Sequence, residues 1–234
     1  MRNGSSVLSF RRIEIAGEKA AMEFISREGS GRVSWFDIEG FAERFLGLKI
    51  RYELIDEDDT DVIGFLSNGL QPLKVIRNRR HIRVVFERDT AVIDSRLLSE
   101  KQDGIRRFTI AHEAGHRLLE MNVLSGDPQA AFCTGPEEDI YPSRRVKKIF
   151  SLTEEMADRM AAVLLMPRPY VCKALEKLNG GTGPAVFAGG VITDKDMRLT
   201  EDAADMLRVS RTAMLRRLRE LRLLRYLPAV AYRE

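Results

Sequence analysis

Only two of the 234 residues are cysteine, Cys133 and Cys172. They are too few and too unpatterned for a disulfide framework, and a reducing compartment would hold both as thiols. No apolar stretch approaches the roughly 18 residues a membrane span needs. Residues 1 to 20 also lack the apolar region of a signal peptide, so a cytoplasmic protein with no membrane partner is expected. Charge of one sign is missing too: 38 basic against 35 acidic side chains leave +3. That balance does not by itself point to nucleic acid. What is present, 44% hydrophobic residues, suffices for one core and a small second module.

Histidine is scarce, at three residues, and two of them stand in His112-Glu113-Ala114-Gly115-His116. On a helix this spacing puts two imidazoles one turn apart with a carboxylate beside them, the pattern of a hydrolytic zinc site. Three letters in five are weak alone, so the surroundings matter. Ile110, Met121, Ala114, Leu118, Ala111, Gly115, Phe108 and Leu119 form one wide apolar arc. The histidines sit just past its edge, followed by Thr109, Glu113 and Glu120 on a polar side expected to face solvent. The competing reading is a core helix with two satisfied histidines.

A third ligand is sought in the helical segment 151–167, which should stop before Pro167. Its apolar arc holds Met156, Ala157, Met160, Ala161, Val163, Leu164 and Leu165, and Glu154 and Asp158 fall on the same side. Two carboxylates at i, i+4 on an apolar arc are costly unless they meet a cation. Glu154 is therefore read as the third ligand and Asp158 as the acceptor that fixes one histidine ring through its distal N–H. A capping box between Ser151 and Glu154 is the alternative for Glu154, and it leaves Asp158 unexplained. Glu155 is the other candidate ligand but points to the solvent face.

Phe108-Thr109-Ile110-Ala111-His112-Glu113-Ala114-Gly115-His116, followed by Glu154-x-x-Ala157-Asp158-x-x-Ala161-Ala162-x-Leu164-Leu165-Met166-Pro167, resembles the ImmA/IrrE metallopeptidases. Asp37-Ile38, 46–50 and 61–65 are similar to that family's amino-terminal half. The resemblance implies a bacterial or mobile-element zinc endopeptidase that cleaves a helix-turn-helix repressor and so derepresses its genes. Carried over, it makes His112, His116 and Glu154 the metal ligands, in a gluzincin-like arrangement, and Glu113 the general base. The stretch from Met121 to Phe150 and the hairpin from Leu70 to Arg88 look enlarged for the family. Cys133, within the former, is a conceivable fourth ligand or latency residue.

The fold expected is α+β. A zincin-like metallopeptidase domain with a small mixed or antiparallel sheet should span 1–178, and a helix-turn-helix-like module 191–234. Helices are expected over 17–28 and 35–46, the latter started by Ser34 and Asp37, with strands over 48–55, 61–66, 73–76, 82–86 and 90–93. Thr90 to Asp94 is expected as an edge strand beside the cleft, pairing with substrate backbone. Tyr141, Tyr170 and His81 are candidate donors to the oxyanion.

The carboxy-terminal end carries seven arginines between 208 and 225 against one acid, Glu220, after the breaker-rich stretch 179–190. Thr200 should cap one helix and Ser210 a second, with Ala213, Met214, Leu218 and Leu221 inward. Because the first helix carries Glu201, Asp202 and Asp205, Arg211 and Arg216 are read as docking the substrate protein rather than binding DNA directly. Two rivals remain: a metal-containing DNA-binding regulator, and a non-proteolytic interaction protein of a toxin–antitoxin-like pair. Glu113 separates catalysis from both, since a purely structural metal has no use for it.

Overall fold

The computed structural model describes residues 10–28, 35–56, 62–124 and 143–228. Two long helices form its spine, α3 (Asp103–Leu124) and α4 (Ser143–Leu165), with α1 (Phe10–Glu28) laid across α4. Small residues let them touch. A Cβ on Gly115 would lie 3.0 Å from the Ala157 carbonyl and 3.2 Å from Met160, and one on Gly17 would lie 2.7 Å from Val163. Ile110, Ala111, Ala114 and Leu118 of α3 meet Ala157, Met160, Ala161 and Leu164 of α4 in one core.

The buried arc of α3 differs from the expected one at its edges. Phe108 is 37% and Met121 46% exposed, whereas Thr109 and Glu113 are buried. The sheet lies over the Thr109–Glu113 side, which turns the buried arc toward that side and leaves Phe108 outside it; Met121 lies in the last turn.

The segment expected as a helix over 35–46 is only partly α-helical. Asp37 caps α2 (Ile38–Gly40) by accepting the Gly40 N–H at 3.0 Å, and a π-helical turn follows at Phe41–Phe45. That wider turn stacks Phe41 on Phe45, ring centroids 5.0 Å apart, and both meet Phe24. Ser34 lies outside the described residues.

Three strands form a mixed sheet in the order β1 (Lys49–Glu53), β5 (Thr90–Asp94), β2 (Gly64–Ser67), β5 being parallel to β1 and antiparallel to β2. Thr90–Asp94 is thus the central strand, not an edge, and all five of its residues are buried. Its unbroken Ala91-Val92-Ile93 run suits a strand covered on both faces. The strand bordering α3 is β2. A separate antiparallel hairpin joins β3 (Pro72–Arg77) to β4 (Arg80–Val85), and residues 54–56 extend it along β3.

After Pro167 the chain turns into α5 (Arg168–Asn179), then β6 (Ala185–Phe187), α6 (Asp194–Leu207), α7 (Arg211–Glu220) and β7 (Arg225–Leu227), which pairs parallel with β6. Thr193, not Thr200, caps α6, because Thr193 and Asp196 bond reciprocally; Thr200 is buried in mid-helix and donates to the Asp196 carbonyl. Ser210 caps α7, accepting the Ala213 N–H at 3.1 Å. The inward residues of α6 and α7 belong to the same core as α3 and α4. Among them Arg217 is 1% exposed, donates to the Met166 carbonyl at 2.9 Å and pairs with Glu14 and Glu18 of α1 at 2.8 and 3.0 Å.

Candidate metal centre

His112 and His116 occupy successive turns of α3, and across from them Glu154 and Asp158 occupy successive turns of α4. The glycine-mediated approach of the helices brings the two pairs together. Each of His112, His116 and Glu154 offers one donor atom within 4.8 Å of the other two. His112 Nε2 lies 3.0 Å from His116 Nε2 and 3.1 Å from a Glu154 carboxylate oxygen, and His116 Nε2 lies 3.5 Å from the other oxygen. Metal–nitrogen bonds of about 2.0–2.1 Å in a tetrahedron imply donor–donor edges of about 3.3 Å. The three separations cluster around that length. Two imidazole nitrogens this close also repel through their lone pairs unless a proton or cation stands between them, so the donor set fits a small divalent metal.

Asp158 completes the arrangement from outside. One of its oxygens lies 2.9 Å from His112 Nδ1, which holds that ring with Nε2 toward Glu154 and His116. The two carboxylates are more open than the wheel suggests: Glu154 and Asp158 side chains are each 57% exposed, against 17% for His112. They form the lip of the site. Glu155 is exposed on the outer side of α4.

The electrostatics suit a cation. Burial disfavours a charged His112, yet its hydrogen bond to Glu154 and the carboxylates of Glu113, Glu154 and Asp158 push its pKa up to about 9. Hydrogen bonds from His112 and His116 hold the Glu154 carboxyl far below the usual range.

Glu113 stands beside the triad, 5% exposed, and burial raises its pKa. The Leu66 backbone N–H reaches its carboxylate from β2. Gly64 makes that approach possible, since a Cβ there would sit 2.6 Å from Glu113 Oε1 and 2.5 Å from Thr109 Cγ2. Gly64→Val is therefore expected to destabilise the fold by about 1–3 kcal/mol through overpacking. Urea unfolding of the two proteins checks this; an unchanged midpoint would mean that β2 does not press on α3.

The other sequence candidates are not gathered here. His81 lies on β4 with Nδ1 2.5 Å from an Asp56 oxygen. Tyr170 packs on the core from α5, and no hydrogen bond joins its hydroxyl to the triad. Tyr141 and Cys133 lie outside the described residues; Cys172 is a half-buried free thiol on α5. Arg211 pairs with Glu201 at 2.7 Å and Arg216 with Glu220 at 3.4 Å on the exposed side of α7. Sequence reasoning missed Gly64 and Leu66, whose block carried a resemblance but no sign of what it faces. It also missed Arg217, although Arg217 falls among Ala213, Met214 and Leu218 on the helix wheel.

No protein-family model matches the chain. A stretch of 100 residues, 43% of the chain, is 31% identical to the radiation response metalloprotease IrrE of Deinococcus radiodurans, spanning 26% of that protein.

Proposed function

We propose that this chain is a zinc-dependent endopeptidase of the ImmA/IrrE kind and that it cleaves a helix-turn-helix transcriptional repressor. The observation that carries the reading is the convergence of His112, His116 and Glu154 at tetrahedral-edge distances with the buried carboxylate of Glu113 alongside. The likeness to a metalloprotease supports it. Two imidazoles and one carboxylate make a borderline donor set that suits zinc and leaves a fourth position open.

When bound, the zinc would act as a Lewis acid toward a peptide carbonyl and lower the pKa of a water. Glu113 takes the proton of the attacking water on its carboxylate and passes it to the leaving amine nitrogen. Leu66 N–H and Gly64 hold that carboxylate in place, and Asp158 keeps the His112 ring turned. Among the described residues β2 pairs only with β5, so its outer edge, rather than Thr90–Asp94, receives the substrate: an extended peptide adds to it as a strand. Arg211 and Arg216, whose exposed ion pairs cost little to exchange, serve as the docking face for the repressor.

Incubation with a helix-turn-helix repressor, sought among the products of the neighbouring genes, tests the reading. Two repressor fragments are expected from the zinc-loaded protein and none after chelation. Arg211→Ala combined with Arg216→Ala should slow cleavage without changing zinc content. Zinc-loaded protein that binds the repressor under inducing conditions and never cuts it would sink the peptidase reading in favour of an interaction protein.

A further inference from the structure

The β3–β4 hairpin is one of two strongly basic stretches of the chain, the other being 208–225. Residues 70–88 hold Lys74, Arg77, Arg79, Arg80, Arg83 and Arg88 against a single acid, Glu87. The whole chain has a net charge of only +3, so the remainder is slightly acidic. Some exposed arginines elsewhere sit beside carboxylates, as Arg27 does with Glu23, Arg44 with Glu28 and Asp37, and Arg211 with Glu201, while others, such as Arg198 and Arg222, have no ion pair among the described residues. On the hairpin Arg77 pairs with Glu53. Arg79, Arg80 and Arg83 are exposed and have no ion pair among the described residues.

The tip adds a second, independent observation. The pairing Arg77↔Arg80 closes a two-residue turn on Asn78 and Arg79, whose φ values are 51° and 60°. Hairpins of this kind prefer asparagine then glycine at the two left-handed positions. Here the glycine position is an arginine, a conformation that side chains with a Cβ adopt at a cost. No ion pair among the described residues offsets that cost, and strain held at an exposed cation points to a partner outside the fold. Among the described residues Asp56 is taken up by His81, and the segment 54–56 that carries it runs antiparallel to β3 with Asp56 level with Lys74 rather than with the tip.

We propose that this hairpin is a DNA-docking element, its tip entering the major groove of duplex DNA and its free arginines contacting phosphates. A two-stranded ribbon fits a groove about 12 Å wide. Guanidinium groups bind phosphate oxygens two at a time. From Arg77 to His81 the tip presents no apolar side chain of the sort that anchors a protein–protein interface. The assignment does not rest on the peptidase reading, because the hairpin is separate from the metal centre.

Fluorescence anisotropy of the full chain with a labelled 20-base-pair DNA duplex, across a salt series, tests it with and without chelator. Binding should weaken log-linearly with salt and be indifferent to the chelator. Arg79→Gly combined with Arg80→Gln should lower affinity at about 0.1 M salt at least tenfold and flatten the salt slope by about two units, one for each phosphate that is no longer neutralised. Arg79→Gly alone should bind more weakly yet melt about 2–4 °C higher, since glycine relieves the turn; weaker binding then cannot come from unfolding. Unchanged affinity and slope in the double variant would overturn the proposal. So would an Arg79→Gly melting temperature that does not rise, a polyglutamate peptide bound more tightly than the duplex, or duplex RNA bound as well as DNA, since its major groove is too narrow for a ribbon.

Discussion

Glutamine at position 113 is expected to leave the metal bound and the fold intact while slowing peptide hydrolysis by about two to four orders of magnitude, the range that loss of a general base produces. The change is isosteric, and Leu66 N–H can donate to an amide oxygen as it does to the carboxylate. Only the ability to accept a proton from water disappears. Stability should move the opposite way from activity. Burial raises the folded pKa of Glu113, so the folded state disfavours its charge, and the resulting penalty grows as pH rises above the unfolded value. A neutral glutamine removes that penalty, so the metal-free variant should melt at or above the temperature of the metal-free wild type at neutral pH. Peptide turnover of the zinc-loaded proteins and thermal unfolding of the same proteins after chelation check the two halves. Wild-type turnover in Glu113→Gln would exclude Glu113 as the proton acceptor.

The second large effect concerns the metal. The protein is expected to hold about one zinc per chain, and His112→Ala, His116→Ala and Glu154→Ala should each lose most of it. Asp158→Asn should keep zinc with an affinity about 10–100-fold lower, because it orients a ligand without being one. Glu155→Ala should be silent. Zinc release should also rise as pH falls, since protons compete for both imidazoles. Metal analysis after dialysis against a competing chelator ranks the five variants. A Glu155→Ala protein that empties while Glu154→Ala stays loaded would reverse the ligand assignment.

Much of this site is legible in the sequence because the helical period is. Residues four apart on a helix share a face wherever the helix packs, so His112 with His116, and Glu154 with Asp158, can be paired on paper. That the two pairs face each other follows from two acids placed at the border of an apolar arc, where a cation is the economical explanation. The strands are equally visible from their Val- and Ile-rich runs. Pairing in space is what the chain does not spell out. An edge position for Thr90–Asp94 fails because Ala91-Val92-Ile93 has no alternation, the mark of a strand buried on both faces. Gly64 carries no local signal for its contact with Glu113, which depends on which strand borders α3. Thr200 yields the cap to Thr193 because a threonine and an aspartate three residues apart satisfy one another before the helix begins. Arg217 is hidden by its company: among seven arginines, one that points inward looks like any other.

The buried position of Arg217 has a bearing on synthesis. Its carboxylate partners Glu14 and Glu18 lie 203 and 199 residues earlier in the chain. A ribosome adding about 5–20 residues per second therefore takes about 10–40 s to pass from these two acids of α1 to the guanidinium that pairs with them. The helix that carries Glu154 packs on α1, and just past its end the Met166 carbonyl waits for the same guanidinium. The nascent chain thus completes the support of the helix that carries Glu154 only once α7 has emerged, which ties the maturation of the candidate centre to the synthesis of a segment about 200 residues downstream of α1.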